Sequence, residues 1–130
     1  MKKLIIILYT FLPFISFSQD FSGIWTDSTN ADFSNCTAIF SVSNDSVFMA
    51  HYLKFKGNSF VEHGSGIIKN NQVEYTVNVT VQVPGWTATK GYHKLTLSKD
   101  ANTLRGTYVD NSGNTGNLVF KRKYPKLGTK

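Results

Sequence analysis

From residue 73 to residue 83 every odd position is Val or Tyr (Val73, Tyr75, Val77, Val79, Val81 and Val83), and between them lie Glu74, Thr76, Asn78, Thr80 and Gln82. Apolar side chains at period two cannot make the stripe of a helix, whose faces repeat every 3.6 residues. They make a strand with one buried face and one wet face. The pattern therefore predicts a strand over 73–83, ended by Pro84-Gly85.

The same alternation recurs downstream. His93, Leu95 and Leu97 alternate with Lys94, Thr96 and Ser98. After Asp100-Ala101-Asn102, the series Leu104, Gly106 and Tyr108 alternates with Arg105, Thr107 and Val109. A second break at 110–114 leads to Leu118, Phe120 and Arg122. Asn, Asp and Gly at such breaks favour the left-handed and Asx conformations of tight turns. Upstream, strands are expected over 21–26, 36–43, 46–56 and 59–69. The third has apolar residues on both faces, so either Tyr52 or Phe55 faces inward, depending on its register. Gly64 and Gly66 lie within the fourth, as suits a sheet that must curl. No segment carries a helical apolar period.

Strands joined by loops of about two to six residues pair with their neighbours in sequence. Left flat, an eight-stranded meander exposes two long edges, and closing it removes both. The sequence thus predicts an all-β fold, an eight-stranded antiparallel up-and-down meander closed into a small barrel over 20–123. A two-sheet sandwich would need a long crossover, for which only the loop at 27–35 has the length. A transmembrane barrel fits poorly, because the wet face is charged and the chain ends in a basic tail at 124–130 rather than in an apolar strand.

Residues 1–19 form a separate unit. Lys2 and Lys3 precede an apolar run from Leu4 to Phe17 that Pro13 interrupts. The run is shorter than the roughly 20 residues that span a bilayer, and Phe17-Ser18-Gln19 suits cleavage. The expectation is a secretory signal peptide on a secreted or periplasmic protein with no stable membrane insertion. The 14 basic residues less Lys2 and Lys3 leave 12 against 8 acidic, a net charge of +4. Much of the excess sits at Lys121, Arg122, Lys123, Lys126 and Lys130, without a groove-entering helix or a nucleic-acid motif, so no nucleic-acid partner is expected. Cys36 stands alone, which excludes an intramolecular disulfide and leaves stability to an apolar core. It alternates with Ala38, Phe40 and Val42, as a small buried hydrophobe would.

Gly23-Ile24-Trp25 resembles the Gly-x-Trp of the first lipocalin strand, and Arg122 resembles the basic residue that packs on that Trp from the last strand. Avidin-like barrels of the same calycin type are similar in strand number and size. The resemblance implies that Gly23, Trp25 and Arg122 close the barrel, with the guanidinium over the indole as a cation–π contact. Lipocalins also carry a C-terminal helix and a disulfide, and this chain has neither signal. Biotin-site residues do not match one by one, so biotin binding is not carried over.

Parity places Phe40, Tyr75, His93 and Tyr108 inside the barrel. A barrel of eight strands either fills itself with side chains or holds one small ligand. His93, Tyr75 and Tyr108 would give an apolar chamber a few polar tips, the usual form of a small-molecule site. Trp86, after Pro84-Gly85, would sit at the mouth as a lid or contact. The candidate ligand-binding residues are therefore Phe40, Tyr75, Trp86, His93 and Tyr108. His51, His63 and His93 lie on three strands with no His-x-His or Cys-x-x-Cys spacing, so no metal site and no cofactor are expected. Glu62 and His63 are adjacent and point to opposite faces. The aspartates, Asp27 among them, read as turn or loop residues, and no Gly-x-Ser-x-Gly occurs, so no catalytic residue is assigned. Three functions follow, in order: a binding protein for a small apolar or aromatic ligand, a protein-interaction module of inhibitor or adhesion type acting through the mouth loops, and a small barrel isomerase or cyclase.

Overall fold

The computed structural model describes residues 20–29, 31 and 35–127. The expected signal peptide lies outside them. Eight strands run in order: β1 (Gly23–Asp27), β2 (Thr37–Ser43), β3 (Ser46–Phe55), β4 (Asn58–Lys69), β5 (Gln72–Val79), β6 (Lys90–Leu97), β7 (Thr103–Asp110) and β8 (Thr115–Arg122). Each pairs antiparallel with its sequence neighbour, and β8 pairs with β1, so the meander closes as a barrel. The alternative of a sandwich is excluded.

Register settles the parity of β3. Val47, Met49, His51 and Leu53 are buried, Tyr52 is exposed, and Phe55 is half-buried at the strand end. The tight curl uses glycine where strands come closest. A Cβ on Gly66 would stand 1.9 Å from the carbonyl oxygen of Glu74, and one on Gly106 would stand 1.8 Å from that of Lys94. Side chains there would push neighbouring strands apart.

The strand predicted over 73–83 stops at Val79. Its last partners are Glu62 on β4 and, through Asn78, Lys90 on β6. Beyond that point β6 offers no further partner, and the chain leaves the sheet although β4 runs on to Asn58. Val81 is 65% exposed, whereas Val83 turns back and is buried beside Cys36, Leu53 and Phe60. Residues 80–89 form a loop over that end of the barrel. Gln82 Nε2 donates to Ala88 O at 3.2 Å, and Asn111 Oδ1 accepts from the backbone N–H groups of Thr89 and Lys90 at 3.0 and 3.1 Å.

The opposite end is shut. Phe21 and Trp25 are fully buried there, and Phe40 meets Trp25, Tyr75 and Phe120 edge-on at ring separations of 6.5, 5.5 and 6.4 Å. Trp25 pairs with Arg122 across the closure, and the guanidinium lies 4.1 Å from the indole centre. Arg122 also donates from Nε to Ala101 O at 2.9 Å, from Nη1 to Ser22 O at 2.8 Å, and from Nη2 to Asp20 O. Gly23 leaves room for this: a Cβ there would sit 2.7 Å from Arg122 Nη1, and its φ of +139° is one that residues with a side chain rarely adopt. Gly23, Trp25 and Arg122 thus meet where β1 and β8 pair.

Candidate functional site

A cavity of about 330 Å³ opens at the end covered by the 80–89 loop. Its walls include Leu53, Val79 and Leu118, together with His93, Tyr108 and Trp86. Asp27, His51 and Glu62 form a polar floor.

The floor is brought together by register. Trp25 pairs with Ala38 and Ala38 with His51, so the small Ala38 side chain makes room for two large inward neighbours. His51 pairs with Glu62 on β4. Its Nδ1 lies 2.9 Å from Glu62 Oε1, and its Nε2 lies 3.5 Å from Asp27 Oδ2, too far for a good hydrogen bond. Phe120 packs against the imidazole edge-on at 5.3 Å. His51 and Asp27 are each 2% exposed and Glu62 is 6% exposed.

Asp27 corrects a sequence expectation. It is the last residue of β1, paired with Phe120, and not a free loop residue. It turns inward because it shares parity with Trp25. It still starts the turn as Asp residues do, since Oδ1 accepts from the backbone N–H of Thr29 at 2.8 Å. Thr29 Oγ1 in turn accepts from Val119 N–H at 3.0 Å, which ties the turn to β8.

His93 stands on the wall between Tyr75 and Tyr108, with ring separations of 4.9 and 6.1 Å. Burial pushes its pKa below the ordinary 6.5, against an upward pull from Glu62 and Asp27, and so favours the neutral imidazole. Its Nδ1 is buried with no hydrogen-bond partner among the described residues. Burial likewise raises the Tyr75 phenol well above its usual range, and its hydroxyl also lacks a partner. Trp86 packs on Phe55 and Phe60 at 5.3 and 5.1 Å, with its Nε1 buried and unpartnered. Cys36 accepts a hydrogen bond from Lys54 N–H at 3.3 Å, and burial raises its thiol pKa, which makes it a weak nucleophile.

Of the five residues singled out in the sequence, Trp86, His93 and Tyr108 line the cavity. Phe40 and Tyr75 lie below it in the packed core, and Tyr75 meets the chamber only through the His93 ring. Tyr108 has space because Gly116 faces it; a Cβ there would come within 2.7 Å of the phenol ring. Asp27, His51 and Glu62 escaped sequence reasoning. The available signal was the series Val47, Met49, His51 and Leu53, which carries His51 inward once the parity of β3 is chosen. Phe60 does the same for Glu62 on β4.

Among the described residues no three His, Cys, Asp or Glu side chains are placed to hold a metal ion. The two nitrogens of His51 face different carboxylates, so the three groups do not converge. No described helix is long and apolar enough to cross a membrane. No family model, curated protein or solved structure matches the chain. The closed eight-stranded antiparallel meander itself is compatible with a calycin-type barrel.

Proposed function

We propose that the chain is a secreted or periplasmic lipocalin-like binding protein that holds a small apolar or aromatic ligand inside its barrel. The observation that carries this is the chamber of about 330 Å³, apolar on its walls with a few convergent polar groups. Small-molecule sites have this form, with volumes of roughly 300–1,000 Å³. His93, Tyr108 and Trp86 are the contact residues in this reading, and Phe40 and Tyr75 shape the chamber from below. A buried polar atom without a partner costs about 1–3 kcal/mol. A ligand atom meeting His93 Nδ1 would offset that cost. The Gly23, Trp25 and Arg122 closure supports the lipocalin-like assignment, and the predicted leader at 1–19 supports export.

The test is titration of the chain from residue 20 onward with the uncharged dye N-phenylnaphthylamine, read by dye emission. Saturable uptake is expected. His93→Ala should weaken it about ten- to a hundredfold with the fold intact, and Tyr108→Phe less. Absence of uptake would favour a second reading, an interaction module. That reading has one observation behind it: Ile39, Phe48, Tyr52 and Val61 are 51%, 55%, 42% and 44% exposed on the outer face of β2–β4.

A further inference from the structure

We infer that the ligand of this chamber carries an ammonium group, drawn by the carboxylates of Asp27 and Glu62, with its apolar body toward Trp86 and Tyr108. The inference rests on the chamber being the binding site and names the chemistry that the site selects.

Three features of the floor and walls converge on a cation. The first is charge. Two carboxyl groups face one imidazole on the floor, so the acids outnumber the base between them. The other charged lining residues are Lys90 and Asp110 at the rim. Asp110 is engaged by its own turn, accepting from Ser112 N–H, Asn114 N–H and Asn114 Nδ2 at 2.9 Å each. His93 is held toward its neutral form by burial and adds no compensating charge. A buried carboxylate is costly unless it meets a cation and hydrogen bonds, and the same holds for a buried ammonium. Each therefore needs the other in a site of this kind.

The second feature is the set of free acceptors. The described hydrogen bonds occupy Oε1 of Glu62 and Oδ1 of Asp27. His93 is 6% exposed, it lines the cavity, and its Nδ1 has no partner among the described residues. An ammonium offers three donors and no acceptor, which matches carboxylate oxygens that only accept. An alcohol offers one donor, and a carboxylate offers none. The third feature is the ring of aromatic side chains. Trp86 and Tyr108 line the same cavity as the acids, and such faces attract cations as well as apolar groups.

The experiment uses three probes with one body: phenethylamine, phenethyl alcohol and phenylpropionate. Each is titrated by calorimetry into the chain from residue 20 onward at pH 7, where the first is a cation and the last an anion. The amine should bind at least tenfold more tightly than the alcohol, and the acid should not bind measurably. Glu62→Gln should bring the amine down to the level of the alcohol and leave the alcohol unchanged. Should that variant fail to fold, Asp27→Asn replaces it, and the wild-type series already decides the matter. An alcohol or acid that binds as well as the amine overturns the inference, as does a Glu62→Gln variant that weakens amine and alcohol equally. N-phenylnaphthylamine separates the two levels. Dye uptake without amine preference overturns the ammonium alone, whereas exclusion of the dye and all three probes overturns the chamber as well.

Discussion

The two ends of the barrel are made from the same eight strands and differ in how they treat polar atoms. At the closed end the buried polar atoms of Trp25 and Arg122 have partners, and the exception in the core above them is the Tyr75 hydroxyl. Trp25 Nε1 donates to Phe21 O at 3.1 Å, and the three nitrogens of Arg122 reach three separate carbonyls. At the open end His51 Nε2, His93 Nδ1 and Trp86 Nε1 are buried without one among the described residues. Unpaired buried polar groups lower stability, and most buried groups in folded proteins are paired. The contrast separates the two tasks of the fold: stability is concentrated at one end, and recognition chemistry is kept at the other.

The largest expected effect tests that division directly. Trp25 is fully buried, so Trp25→Ala should cost about 3–5 kcal/mol, a large part of a domain's usual 5–15. Trp86 is half-buried against two rings, and Trp86→Ala should lower stability clearly less while opening the mouth. Urea unfolding of the two variants gives the comparison. Equal losses would show that the ends do not differ as described.

Arg122 should come next. Hydrogen bonds from a charged donor contribute about 1.5–3 kcal/mol each and a stacked indole adds about 0.5–2. Because these contacts act as a unit, Arg122→Met is expected to cost about 3 kcal/mol, not their sum. Arg122→Lys should recover less than half, since a point charge cannot serve three carbonyls in a fork. Full rescue by Lys would mean that charge, not geometry, closes the barrel.

How far these ends could be read from sequence depends on what period two encodes. It encodes which face a residue takes, so the meander, the inward set of Phe40, Tyr75, His93 and Tyr108, and the Trp25–Arg122 seam were all legible. It does not encode depth along the barrel axis. Phe40 and Tyr75 share a face with His93 and yet lie in the core below the chamber. The polar floor was hidden for two further reasons. β3 is apolar on both sides, with Phe48 and Tyr52 outside and Val47 and Met49 inside, so the face of His51 was ambiguous. Asp27 looks like a turn residue because it is one, through Thr29, while also ending β1 inside the barrel. Val81 continues the alternation of β5 after the chain has left the sheet, where β6 offers no partner, which pattern alone cannot reveal.

A smaller effect, in pH, belongs to the open end. Burial lowers the pKa of His93 below the ordinary 6.5, with Glu62 and Asp27 pulling it up and His51 pushing it down. Between the folded value and 6.5 the unfolded chain binds a proton that the folded chain does not. Stability should therefore fall as pH drops through that window and return above it. His93→Gln cannot titrate and should lose this part of the slope in thermal melts taken between pH 5 and 8. An unchanged slope would show that burial of His93 does not set it.

The smallest effect belongs to neither end but to the outer wall between them. Glu74 lies 2.8 Å from Lys94 Nζ and accepts from Tyr92 Oη at 2.8 Å. These partners hold its carboxyl below the ordinary 4.5, with the Lys94 contact the larger cause. The sign is that of a carboxylate: its contribution is present above 4.5 and is lost as pH falls through the folded value. The pair is open to water, where salt screens it and such contacts contribute little. Glu74→Gln should thus be nearly silent at neutral pH and flatten only the acid end of the stability profile, and only at low salt. The His93 window should persist at high salt, because it comes from burying an imidazole and not from a solvated pair. Melts of both variants at two ionic strengths distinguish the sites. If salt abolished the His93 window and left that of Glu74 in place, the assignment of one to the dry interior and the other to the wet wall would be reversed.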